Sequence, residues 1–340
     1  MIETSDKKLI YNTVLSQTFS PDGNYLLAGN IYGDVSVFDL SKILGPNKIE
    51  DNELQGPNYR FAAHPEQEIA CMLSIENFFV TGTHGEISGW DWKMINSNKA
   101  PKSKASWNIQ IPANKDSYDK PDINYMVYSK VDHLLYAGCG DNNIYIVNLE
   151  DGRILRSLQG HTDYIHCLAV MDNQLASCSE DGSVRLWDLR KRENTNVLTP
   201  HLIDKVARPR LGKWIGTVDF TEDWLLCGGG PSLSLWHMRT MEAATIFDLA
   251  DQGIHVAEIY EERVIAGGAA AHVYHMTYQG EVLAKVPTSS LTVYSIVHQE
   301  TPHKNSTKWV SHENFNFIIE QTDETVKYKY CTKKYTKKCN

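Results

Sequence analysis

Four groupings of side chains in this sequence have the types and spacing that chemistry needs. His161 and Asp181 could act as a general base and the carboxylate that orients it. His166 beside Cys167 could form a thiol nucleophile with its base. The consecutive glycines Gly228 to Gly230 could bring backbone amides to a phosphate. Glu180-Asp181 and Glu261-Glu262 are paired carboxylates of the kind used in glycoside hydrolysis. Three of the four are better explained structurally. His166 and Cys167 fall in an alternating run, so their side chains point to opposite faces. The glycines lead into Pro231-Ser232 rather than a Lys-Ser/Thr pair and a helix, which marks a tight turn. The paired acids stand among turn residues and are solvated charge. HExxH, GxSxG and paired CxxC motifs do not occur. We therefore expect no enzyme, no metal and no cofactor.

The elements that must position these residues are short. From Gly160 to Arg190 the chain reads GHTDYIHCLAVMDNQLASCSEDGSVRLWDLR. Ile165, Cys167 and Ala169 alternate on one run, Leu175 and Ser177 lie on a second, and Val184, Leu186 and Trp187-Asp188 end a third. Runs of this length with period two are strands. Asp172-Asn173 and Asp181-Gly182 supply the turns between them. Similar units end their third strands at Phe38, Trp90, Val147, Trp187, Trp236 and Met276, 40 to 57 residues apart. The longest intervals hold the polar insertions Ser41 to Asn58, Lys93 to Ala105 and Ala113 to Pro121. One such sheet cannot bury both its faces, so the units must pack in a ring. The fold expected is all-β, a seven-bladed WD-repeat β-propeller in one domain over 14–330. An N-terminal segment (1–13) precedes it and a Lys-rich tail (331–340) follows. The last blade would take its strands from Leu291 onward, or residues near Lys8 to Thr13 would pair with it.

The Gly160-His161 opening and the Trp187-Asp188 ending resemble the WD-repeat family. That resemblance implies a buried hydrogen-bonded tetrad of His161, Ser177, Asp181 and Trp187, which removes His161 and Asp181 from the catalytic candidates. A narrower likeness lies in GHTDYIHCLA, GKWIG, DWLLCGGGPSLSLWHMR and the Thr245 to Phe247 run. Together they resemble the THO complex subunit 6 family, over roughly residues 14 to 290. The likeness implies a non-enzymatic scaffold of the nuclear THO/TREX assembly. It would join the other subunits, coiled-coil subunits among them, and support assembly together with messenger-RNA processing and export. A competing resemblance is that of Trp187-Asp188-Leu189-Arg190 to the box by which some propellers dock on a cullin-ligase adaptor. Arg190 would then carry the docking and the chain would be a ubiquitin-ligase substrate receptor.

Charge and cysteine usage narrow the partners. The net charge of −9 and a pI near 5.8 argue against a nucleic-acid-binding core. RNA contact is expected to be indirect. The stretch Lys327 to Lys338, with Tyr328, Tyr330 and Tyr335, is a solvated or nuclear-targeting tail before it is an RNA site. Seven cysteines without a CxxC pair, five of them in strand-like runs, indicate buried reduced thiols in a soluble, non-secreted protein. Trp and Arg dominate interface hot spots, so Arg208, Arg210, Trp214, Trp224 and Arg239 join Arg190 as candidate partner-binding residues. The family's topology would put Ser41 to Asn58 and Lys93 to Ala105 on one edge of the ring. Ala113 to Pro121 and His201 to Gly212 would lie on the other.

Overall fold

A computed structural model describes residues 12–40, 57–95, 104–113, 119–191, 194–249, 252–288 and 290–298, together with the backbone of strands at 308–311, 317–322 and 325–330. The strands form seven four-stranded antiparallel sheets. Blade one runs from Val14 to Ala62, blade two from Cys71 to Gln110, blade three from Ile123 to Gln159 and blade four from Ile165 to Leu198. Blade five runs from Ile215 to Ile246 and blade six from Ile254 to Pro287. The alternation seen in the sequence becomes two buried faces on each of blades one to six. In blade one, Leu27 faces blade two while its neighbour Leu26 faces the other way.

The core is therefore a set of slabs between blades. Separate apolar clusters lie between blades one and two, two and three, three and four, four and five, and five and six. Two more hold Val293 and Ile296 against blade six and Val297 against blade one. The expected third-strand residues Phe38, Trp90, Val147, Trp187, Trp236 and Met276 each occupy the penultimate position of a third strand, and all six are buried. The five cysteines in strand-like runs are buried and reduced.

The described packing accounts for six blades of the expected seven. The remaining sheet is formed by Ile296–His298, Lys308–Ser311, Phe317–Thr322 and Thr325–Tyr330. Of its side chains only those of its first strand are among the described residues. All four strands come from the C-terminal part, and the alternative partner, Lys8 to Thr13, lies almost wholly outside the described residues. So do most of the Ser41 to Asn58 insertion, parts of the Lys93 to Ala105 and Ala113 to Pro121 runs, and the tail beyond Tyr330. The Lys93 to Ala105 insertion begins with ordered structure, because Trp92–Ile95 is a single helical turn that buries Trp92 and Ile95 against blades one and two.

Candidate interaction site at the channel mouth

The tetrad residues lie together in blade four. Trp187 Nε1 donates to Ser177 Oγ at 2.9 Å, and Ser177 lies 2.7 Å from His161 Nε2. His161 Nδ1 lies 2.9 Å from Asp181 Oδ2. The ionised Asp181 can only accept, so the neutral ring carries its proton on Nδ1 and its bare Nε2 accepts the Ser177 hydroxyl. His161 is thus the neutral tautomer that donates from Nδ1. Burial holds His161 below its ordinary pKa, against the pull of Asp181. Burial alone would raise the Asp181 carboxyl. Bonds from His161, Ser183 and the Thr162 amide reverse this and hold it well below the usual carboxylate range. The group is sealed and has no open position for a substrate.

Blade two carries a shorter version that the sequence pattern did not reveal. His64 Nε2 meets Thr81 Oγ1 at 2.8 Å, and Trp90 Nε1 donates to the same oxygen at 3.1 Å. In blade five Cys227 stands where Ser177 stands in blade four, and Trp236 Nε1 turns to Ser234 Oγ at 2.9 Å. In blades one, three and six the second-strand residue is alanine (Ala28, Ala137, Ala266), and the third-strand residue is Phe38, Val147 or Met276. An indole N–H is present only where a hydroxyl can accept it, as the cost of a buried unpaired donor requires.

Of the six candidate partner-binding residues, two are engaged within the fold and one stands at the central channel. Arg208 donates to the carbonyls of Gly229, Gly230 and Pro231 at 2.8 to 3.0 Å, so it clamps the triple-glycine turn rather than reaching outward. Trp224 is half-buried between blades five and six, against His237 and Tyr278. Trp214 is half-buried at the centre of the ring. The other three are at the surface. Arg190 makes two bonds to Asp188, at 2.8 and 2.9 Å, with its side chain 71% exposed. Arg239 lies 3.8 Å from Asp223, and Arg210 is exposed on the short turn Pro209–Leu211.

The site that geometry singles out is the central channel, of about 1250 Å³. Seven buried β-branched residues, Val14, Ile69, Ile123, Ile165, Ile215, Ile254 and Val293, stand at the starts of the innermost strands or just before them. The residue after each one lines the channel, giving a ring of Leu15, Ala70, Asn124, His166, Gly216, His255 and Tyr294. In blades one, three, four, five and six the pairing register slips here, the mark of a β-bulge that re-aims a side chain. Polar side chains one step further in tie several innermost strands to their neighbours. Ser16 donates to the Ile69 carbonyl, Cys71 to Ile123, Cys167 to Val218 and Thr217 to Ala257. Gln17 donates to the Ser295 carbonyl and closes the circle.

The mouth is lopsided. Leu15, Ala70 and Asn124 make one arc, and aromatic rings make the other. Trp214 stacks on His255 with centroids 5.3 Å apart and planes 20° apart, and His255 leans on Tyr294 at 5.0 Å. His166 meets Trp214 edge-on and bonds Glu180 at 2.8 Å. Glycine makes this stack possible. A Cβ on Gly216 would lie 2.6 Å from the indole of Trp214, and one on Gly253 would lie 2.8 Å from it. Below the rings, the Tyr125 side chain from blade three lines the lumen together with Cys167, Asp219 and Glu258 of blades four, five and six, and is 37% exposed. Burial raises the Asp219 carboxyl to about 6, despite the Ile259 amide that donates to it. Among the described residues no His/Cys/Asp/Glu group could hold a metal ion.

A sequence signal for this ring existed in the seven Ile/Val-x steps, but it repeats only once per blade and was overlooked. The family model for the WD domain, G-beta repeat, matches residues 152–188, the blade that carries the complete tetrad. The chain is 36% identical over 307 residues to a Drosophila melanogaster protein named THO complex subunit 6, covering 89% of this chain and 85% of that one. It is 38% identical to a Danio rerio THO complex subunit 6 homolog, covering 87% and 91%. With the Homo sapiens THO complex subunit 6 the identity is 34%, covering 86% and 84%. Likeness of this extent, carried by an all-β WD-repeat propeller, shows that the chain belongs to the THO complex subunit 6 family.

Proposed function

We propose that this chain is a non-enzymatic scaffold subunit of a nuclear THO/TREX complex, one that supports complex assembly and messenger-RNA processing and export. The observation that carries the reading is likeness to proteins named THO complex subunit 6 over more than four-fifths of both partners' lengths. A sealed tetrad and a ring of interlocked blades suit a rigid platform. We infer further that the ring has seven blades within 14–330, the C-terminal sheet being the last. Support comes from its complete strand pairing and from its first strand, which packs between blades six and one. Coiled-coil THO subunits are the expected partners, and RNA contact is indirect. Among the candidate residues Arg210, Trp214 and Arg239 remain for binding THO subunits, and Arg190 would serve docking on an adaptor alone. Arg190 is already bonded twice within its own chain and gives no support to docking on a cullin-ligase adaptor.

Affinity purification from nuclear extract, with and without nuclease, tests the reading by comparing wild type with Arg190→Ala. Co-purification of coiled-coil THO subunits after nuclease, unchanged by the substitution, is the expected result. Recovery of a cullin adaptor that vanishes with Arg190→Ala would replace the scaffold by a ubiquitin-ligase receptor.

A further inference from the structure

We propose that the channel mouth binds an arginine side chain presented by an extended segment of a protein partner. The wall there offers acceptors and rings and little else. Glu180 stands at the rim with its side chain 42% exposed, while Asp219 and Glu258 lie beneath on the same arc. Gln17 Oε1, buried in the wall beside Ser295, has no hydrogen-bond partner among the described residues. Of the described lining residues the only Lys or Arg is Lys130, which follows the far end of an innermost strand and so belongs to the opposite mouth. His255 is kept below its ordinary pKa by burial and then by His166, so it adds no positive charge at neutral pH.

Aromatic faces beside carboxylates select a cation. A planar guanidinium stacks on rings and forks onto a carboxylate in a way a lysine ammonium does not. The site is the mouth of a channel enclosed by the innermost strands rather than an open groove, which suits one side chain and not a length of backbone. The surface around it is apolar and open. Tyr164 and Tyr294 are 56% and 41% exposed, and Leu202 and Leu291 lie on the loops entering blade five and the last sheet. Such a rim suits the residues flanking the arginine. The inference rests on channel geometry and not on which assembly the chain joins, so the purification experiment and this one fail independently.

The probe is N-acetyl-arginine N-methylamide, titrated into the full chain and followed by ligand-observed NMR, with the citrulline analogue as its uncharged isostere. Binding on the order of 1 mM is expected for so small a ligand, with the citrulline analogue roughly tenfold weaker. Tyr294→Ala and Glu180→Gln, each shown by thermal melting to be folded, are expected to weaken arginine binding about fivefold or more. Equal affinity for arginine and citrulline analogues, no binding up to 20 times the expected constant, or unchanged affinity in both variants would overturn the proposal. So would displacement of the arginine probe by a uridine hexanucleotide that binds more tightly, since the mouth would then be a base-stacking site.

Discussion

Removing one oxygen from the centre of blade four should cost far more than its size implies. Ser177 is fully buried and accepts from Trp187 Nε1 at 2.9 Å while bonding His161 Nε2 at 2.7 Å. Ser177→Ala leaves an indole N–H and an imidazole lone pair without partners in a site from which water is excluded. At ~1–2 kcal/mol for each of the two unsatisfied groups, the lower part of the usual range for a neutral group, the expected loss is about 2–4 kcal/mol. The unfolding entropy of a chain this long is of order 0.7 kcal/mol/K, so a cooperative transition should shift down by roughly 3–6 °C. Calorimetry and urea unfolding give the two measures. Trp187→Phe removes the donor itself and leaves a small void. If the relay is real, the double variant loses less than the two single losses together, by at least about 1 kcal/mol, because the orphaned N–H is gone. Additivity within about 0.5 kcal/mol, or a Ser177→Ala protein as stable as wild type, would refute the reasoning.

Three further expectations follow from the same geometry. Arg208→Ala should destabilise by about 2 kcal/mol, since three carbonyls of the glycine turn lose a charged donor; Arg239→Ala, on an exposed pair, should change stability by less than about 0.5 kcal/mol in the same urea titration. Gly216→Ala should expel the Trp214 ring from the mouth, seen as a red shift of tryptophan emission that Trp214→Phe abolishes. The pH response has two opposed parts. Burial lowers the His275 pKa to about 4, so the unfolded chain takes up a proton that the folded one refuses, and stability falls as pH drops from about 6.5 toward 4, by up to ~3 kcal/mol. Asp219, raised to about 6, is protonated in the fold before it is in the unfolded chain, and so returns stability over much of that window. Asp219→Asn removes the offset and should lose more stability than wild type between pH 6.5 and 4.5. An equal or smaller loss would contradict the assignment.

What was legible in the sequence was local. The blade pattern, the turn residues and the six third-strand positions could be found because each depends on residue type and spacing within one hairpin. The tetrad came by resemblance, and only where all four residues stand in blade four. Blade two kept the relay with threonine for serine, which hid it. The mouth was missed because its parts lie on seven separate strands, and a bulge in five of them moves the lining residue off simple alternation. The intramolecular partners of Arg208 and Trp224 were illegible for a related reason. Both residues suit a hot spot by type, but no short-range pattern shows that a glycine turn or a neighbouring blade already occupies them.

The two kinds of fastening in this ring occur in different places. Blades two and four hold their third strands through a His–hydroxyl–Trp relay, while blade six has no hydroxyl at that position and blade five has no histidine in its version. It is across blade five, blade six and the start of the last sheet that Trp214, His255 and Tyr294 stack. The mouth therefore fastens one arc without the full relay, while blades one and three, which carry Ala28 and Ala137 at the hydroxyl position, lie outside it; its glycines are the condition for doing so. A ligand seated on those rings binds the closed ring and not a parted one, so it must stabilise the fold by mass action. The arginine probe at ten times its dissociation constant should add about 1.4 kcal/mol, roughly 2 °C in the melting transition, and Tyr294→Ala should abolish the increment. If the probe binds but the transition does not move, the stack is an ornament of the mouth and the ring closes by its apolar slabs alone.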